Sequence, residues 1–195
     1  MRRFLASDPD FDAAFDAFLH EGRGSPADVD AATAKVIEAV RTEGVAALLR
    51  FSREFDKVEL TEATLGLTQD EIDAGAAACP AEARAAIAFA AARIRAYHER
   101  QRPADQWFTD AAGVQLGWRW TPLESVGVYV PGGRAAYPST VLMNVIPAMV
   151  AGVDRIAMVT PPSKLQPAVM AAAREAGVTE IWRVGGAQAV AALAH

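Results

Sequence analysis

Cysteine is nearly absent from this sequence. Cys79 stands alone among 195 residues, which excludes an internal disulfide framework and suits a reducing compartment. It lies between Ala78 and Pro80, with no basic neighbour to activate it, and reads as inert packing. Histidine is scarce as well: His20, His98 and His195 are far apart and show no metal-ligand spacing. His98 follows Tyr97 near a helix end and reads as a surface residue. Neither the GxGxxG fingerprint nor a Walker-type GxxxxGKS/T run occurs, so the common dinucleotide and phosphate loops are excluded. Long apolar runs are missing. The longest, Val141 to Val153, is broken by Asn144 and Pro147 and is too short to span a bilayer. The opening MRRFLASDPDFDAAF carries two arginines but meets Asp8, Asp10 and Asp12 at once, with no signal-peptide core behind them. Basic charge is in deficit: the net charge is −5 and no basic run interleaves with aromatics, which argues against nucleic acid as a partner. These absences describe a soluble cytoplasmic protein with no membrane partner.

What is present is a composition of 52% hydrophobic residues, enough for the core of one domain or two small ones. The chain is organised around VGVYVPGGRAAYPSTVLMNVIPAMVAGV, Val126 to Val153. A short apolar run ends in Pro131-Gly132-Gly133, and a polar start at Ser139 leads into a longer apolar run, the pattern of strand, glycine loop and helix. The unit then repeats. Strands are expected at 126–130, 155–160 and 179–184, and helices at 139–151, 164–176 and 187–194, with Gly152 and Gly177 as helix caps. Pro147 should kink its helix or shift its start. Alternating strands and helices imply a parallel sheet. Three strands with one open edge amount to half of a doubly wound sheet.

The region before it, residues 1–123, reads as a separate, mainly helical domain, with 124–195 as the second. Phe11, Phe15, Phe18 and Leu19 predict a short amphipathic helix over 8–20, a packing arm suited to a partner subunit. Glu21 to Pro26 reads as a linker, with Ser25 as an N-cap and Pro26 at the first helical position. A helix through Val29, Val36 and Val40 should end at Gly44, and a short one follows through Val45, Leu48, Leu49 and Phe55. Residues 57–67 are ambiguous, with a weak strand expected at Val58. Thr68 and Glu71 form a capping box that starts a helix stopping near Pro80, and an alanine-rich helix over 81–101 comes next. Val114, Leu116, Trp118 and Trp120 alternate with polar or small residues, the mark of a half-buried strand, paired with one through Trp107 and Phe108 by a turn at Asp110 to Gly113.

Two glycine pairs follow strands, Gly132-Gly133 and Gly185-Gly186. In a parallel sheet both lie at the carboxyl edge, where ligands bind in such folds, and glycine lets a ligand come close to backbone. Spacing alone leaves open whether they bind or merely turn. Tyr129 ends the first strand, where its ring serves either as core packing or as a surface for a planar ligand. Gln188 sits in the first turn of the last helix, either as an exposed helical residue or with its amide toward a ligand. Arg134 and Asn144 are weaker candidates, Asn144 for helix backbone near Pro147 and Arg134 as a loop charge. No acid, base or nucleophile can be named as catalytic.

Three blocks carry a resemblance: Val126 to Val153, Thr160-Pro161-Pro162, and VGGAQAVAALA from Val184 to Ala194, with EGVAALLRFSREFDKVEL (Glu43 to Leu60) upstream. In this order and spacing the chain resembles the histidinol dehydrogenases. The resemblance implies an α/β fold: a helical N-terminal region with a β-hairpin, then an incomplete Rossmann-like parallel βαβαβα unit. It implies oxidation of L-histidinol to L-histidine through an aldehyde in two NAD-dependent steps of histidine biosynthesis, by a zinc-dependent homodimer. Tyr129 and Gln188 match family residues that contact NAD, and Gly132 and Gly133 stand in the matching loop. The family's zinc ligands, its Glu-His acid–base pair and most of its substrate contacts match no position here, since its members are roughly twice as long. The 195 residues alone are therefore expected to be inactive.

Overall fold

The computed structural model describes residues 3–21, 27–132 and 136–195, without the side chains of His20 and Ala27. The phenylalanine spacing forms α1 (Phe11–His20), whose rings meet one another and Phe4: Phe11 stacks on Phe15 at 5.4 Å, and Phe4 lies 5.1 Å from Phe18. Most of the expected linker, with Ser25 and Pro26, lies outside the described residues. Helix α2 (Ala27–Glu43) ends at Gly44 as expected, and Gly44 at once becomes the N-cap of α3 (Val45–Phe51). A π-helical turn, Ser52–Asp56, continues α3 and closes at Lys57. The strand expected at Val58 does not form. The Val58 N–H donates back to the Ser52 carbonyl, 3.3 Å, so the group a strand ladder needs closes the π turn instead. A short helix missed by the sequence reading, α4 (Glu62–Leu65), starts on a reciprocal cap between Thr61 and Thr64.

The capping box at Thr68 and Glu71 forms as expected and starts α5 (Gln69–Ala77). Helix α6 (Ala81–Glu99) follows Pro80. Between them Arg84 donates to the carbonyls of Ala77 and Cys79, satisfying backbone acceptors that the end of α5 leaves free. The hairpin pairs β1 (Gln106–Thr109) with β2 (Gln115–Trp118), antiparallel. Its turn is held by the Asp110 carboxylate, which accepts from the N–H groups of Ala112 and Val114 at 2.9 Å each. The strand expected to be half-buried is instead exposed along its whole length, as is its partner. Alternation is present: the register sets Phe108 opposite Leu116, with Trp118 on the same face, while Trp107 lies over Gly117 on the other. Alternation reports that a face is apolar, not which surface covers it.

The second half alternates as expected: β3 (Ser125–Tyr129), α7 (Pro138–Ala151), β4 (Arg155–Val159), a 3₁₀ turn (Pro162–Lys164), α8 (Pro167–Ala176), β5 (Glu180–Trp182) and α9 (Gly186–Ala194). The strands are parallel in the order β3-β4-β5. Gly152 and Gly177 cap α7 and α8 at φ +92° and +91°, backbone that residues with a Cβ rarely adopt. Pro147 sits inside an unbroken α7, and Asn144 donates to the Thr140 carbonyl at 2.7 Å one turn earlier.

Side-chain direction alternates across both faces of this sheet. Val128, Val130, Ile156, Met158 and Ile181 face α7 and α8, with α5 and α6 packed on those helices in turn. Tyr129, Val159 and Trp182 face the opposite layer, which α2, α3 and α9 supply. The first cluster runs from Ile72, Cys79 and Ile87 through to Ile181, so buried contacts cross residue 123 without a break. The β5 edge is covered as well. Leu67 N–H donates to the Ile181 carbonyl, 2.9 Å, and Arg183 N–H to the Leu65 carbonyl, 2.8 Å, with a bridge from Gly66 to Trp182. The Arg183 guanidinium locks this segment through the Thr64 carbonyl, 2.6 Å, and the Glu71 carboxylate. Among the described residues β3 pairs only with β4, which leaves one open edge.

Glu71 thus serves a helix cap and an ion pair to Arg183 together. Thr68→Ala should cost about 1 kcal/mol in urea unfolding, the usual worth of an N-cap. The backbone hydrogen bond from Thr68, followed by the Arg183 guanidinium, holds the Glu71 carboxyl below its ordinary range. A depressed carboxyl pKa contributes stability above its unfolded value, and that stability is lost as pH falls through the folded one. Glu71 is half-exposed, so the effect is screened and small. The stability gap between wild type and Glu71→Gln should narrow as pH falls from about 5 to about 3 in thermal melts; a gap that does not change with pH contradicts it.

Candidate functional site

Because β3, β4 and β5 run parallel, the loops that leave their carboxyl ends share one edge. Pro161 is the point where the three loops meet. A Cβ built on Gly132, after β3, would lie 3.2 Å from Pro161 Cγ, and one on Gly185, after β5, would lie 2.4 Å from the same atom. The proline ring is wedged between two glycines, and at Gly185 no side chain fits. This close approach requires glycine at 185, while at 132 a Cβ would be tight against the ring.

Gly185 is the N-cap of α9 and offers no side-chain cap, and α7 likewise begins without one. The first N–H groups of α9 therefore meet this edge without side-chain acceptors, carrying the positive end of the helix dipole. That arrangement favours anionic ligand groups. Gln188, in the first turn of α9, is buried, with 1% exposure. Its amide folds back on Gly186, where a Cβ would stand 2.6 Å from Gln188 Oε1. Gln188 Oε1 has no hydrogen-bond partner, and neither has the hydroxyl of Thr160, which is 0% exposed at the end of β4. An unpaired buried polar atom costs about 1–3 kcal/mol. Two of the unpaired buried atoms lie at this glycine-lined edge, and two more, Ser52 Oγ and Asp56 Oδ2, lie in the π turn.

Of the residues picked out by sequence, Tyr129 packs its ring against the cluster with Val184, Ala189 and Leu193 and stays half-exposed. Gln188 is not the exposed helical residue that position alone allowed. Gly132 is exposed beside Pro161. Gly133 and Arg134 lie outside the described residues. Asn144 bonds helix backbone. Cys79 is buried in the core, and His98 is half-buried at the end of α6. Thr160 and Pro161 escaped the sequence reading as site residues. The available signal was a threonine at a strand end followed by two prolines, which leaves its hydroxyl no N–H on the next residue.

Other features lie elsewhere. Burial pushes the Asp56 carboxyl up, in the π turn. The Arg155 guanidinium pulls Glu180 down, through paired bonds of 2.8 and 2.9 Å at the start of the strands. An apolar cavity of about 310 Å³ lies under Ser125, Gly127, Arg155 and Leu193, toward the amino ends of the strands. A groove of about 690 Å³ runs between His98, Arg102, Trp120 and Pro147. Among the described residues no group of three or more histidine, cysteine, aspartate or glutamate side chains is placed to hold a metal. No helix among them is long and apolar enough to cross a membrane.

The family model for histidinol dehydrogenase matches residues 20–195. The chain is 78% identical over its whole length to a histidinol dehydrogenase of Caulobacter vibrioides, spanning 46% of that protein. It is 53% identical over 97% of its length to one of Brucella abortus, spanning 44% of it. The chain thus spans about half the length of the curated relatives it matches. Its fold is similar to the crystal structure of histidinol dehydrogenase from Elizabethkingia anophelis, with a TM-score of 0.80 and 34% identity over 87% of this chain and 39% of that one. With this match running through the helical half, the sheet and the glycine-lined edge alike, the chain belongs to the histidinol dehydrogenase family.

Proposed function

We propose that this chain supplies part of the NAD site of a histidinol dehydrogenase that oxidises L-histidinol to L-histidine through the aldehyde. The observation that carries the reading is the orphaned carbonyl of Gln188, buried at the glycine-lined edge beside the uncapped start of α9. The residues fit a dinucleotide. Gly132 lets its phosphates approach backbone, with Gly133 next to it in sequence, α9 presents N–H groups without side-chain caps to their charge, and the exposed part of Tyr129 offers a ring face to a planar heterocycle. Gln188 can turn its amide to donate and accept toward the ligand. NAD, when bound, supplies the hydride acceptor. The residues here orient it and do not move protons.

Zinc does not fit the described residues, which offer no ligand set. Its ligands, the acid–base pair and most histidinol contacts are assigned to a part of the protein outside these 195 residues, which alone carry out no turnover. We place the protein in the cytoplasm as a homodimer. The half-exposed rings of Phe15 and Phe18 on α1 and the exposed tryptophans of the hairpin supply apolar surface for the dimer. A stand-alone nucleotide-binding module without catalysis is the alternative, and the same edge would serve it.

Calorimetric titration of the complete protein with NAD tests the reading. Tyr129→Ala and Gln188→Ala should each weaken binding by roughly tenfold, about what losing one good contact costs, while histidinol binding changes little. Wild-type affinity for NAD in both variants would remove the site from this edge.

A further inference from the structure

Thr160 is the first residue past β4, the central strand, and directly precedes the Pro161 wedge. Its neighbours leave its hydroxyl without a partner. The Thr160 N–H donates to the Trp182 carbonyl, 3.2 Å, and the Val159 carbonyl accepts from Val130, 2.9 Å. Pro161 carries no N–H. The N–H groups of Lys164 and Leu165 close the 3₁₀ turn onto the carbonyls of Pro161 and Pro162, at 2.8 and 3.4 Å. The hydroxyl is 0% exposed and has no hydrogen-bond partner among the described protein groups. A structural threonine at a strand end ordinarily bonds nearby backbone. This one does not, and it stands where the three loops converge.

We propose that Thr160 is a further positioning residue of the dinucleotide site, its hydroxyl donating to an oxygen acceptor that arrives only with the bound dinucleotide. The inference rests on the NAD reading above and extends it to a residue with no part in that reading. Binding shifts the loops around Pro161, and the hydroxyl then gains the bond it lacks. The free chain carries the cost of the orphan, and the bound state removes it, so the group favours the bound arrangement of Gly132 and Gly185. The bias towards the bound state comes from an unsatisfied atom rather than from a contact already made.

The test uses the complete protein as wild type, Thr160→Val and Thr160→Ser. Each is titrated with NAD by calorimetry and melted without ligand. Valine keeps the shape and removes the hydroxyl. Thr160→Val should bind NAD about tenfold more weakly. Its ligand-free Tm should be unchanged or higher, because an unpaired buried hydroxyl has gone. Thr160→Ser should keep wild-type affinity, and in turnover Thr160→Val should raise KM for NAD with kcat nearly unchanged. Unchanged affinity in Thr160→Val overturns the inference. So does a weakening that accompanies a lower ligand-free Tm and is not restored in Thr160→Ser, the mark of a purely structural role. A wild type that takes up no NAD overturns the dinucleotide reading together with this one, and the wild-type titration shows that before any variant is compared.

Discussion

Parallel pairing of β3, β4 and β5 is the constraint on which the rest of the molecule depends. A parallel ladder requires a crossover after every strand, and the crossovers cover the sheet with helices. Strand residues must then be apolar on both faces, as Val128, Tyr129, Val130, Ile156, Met158 and Val159 are. The same pairing gathers the strands' carboxyl ends, and the loops that leave them, at one edge. Pro161 converts that edge from three separate turns into a joined surface, because it packs against Gly132 on one side and Gly185 on the other.

The helical half is an outer wrap on this sheet. Helices α5 and α6 bury Ile72, Cys79, Ile87 and Ala91 against α7 and α8, while α2 and α3 close the opposite face together with α9. Residues 65–67 then occupy the β5 edge, with Arg183 tying β5 to both Thr64 and Glu71. A sheet edge left open invites pairing with another chain, so this cover has a structural purpose of its own. The hairpin and α1 stand outside the wrap with their aromatics exposed, surface that an assembly of greater size can cover.

Much of this was legible in the sequence because the signals were local. The reciprocal cap of Thr68 and Glu71 requires only residues three apart, and the left-handed ends at Gly152 and Gly177 require only a glycine after an apolar helix. The strands ran within a few residues of their expected places because both their faces are apolar. What stayed hidden depends on partners distant in sequence. The pairing of Leu65–Leu67 with β5 joins segments more than a hundred residues apart, so no local pattern announces it. The burial of Gln188 depends on the fold-back over Gly186, and the exposure of the hairpin on what fails to cover it. At the site, the glycine pairs and the strand-end tyrosine could be read directly. The wedge at Pro161 and the orphaned hydroxyl of Thr160 needed the three strand ends in space.

The central claim is that the joined edge around Pro161 receives the dinucleotide. Hydrogen–deuterium exchange of the complete protein with and without NAD tests it most directly. The account predicts that NAD slows exchange in the segments around residues 130–132, 160–165 and 184–189, with little change at the hairpin or around the apolar cavity beneath Leu193. Slowing confined to those other surfaces, with the three loops unchanged, would contradict it.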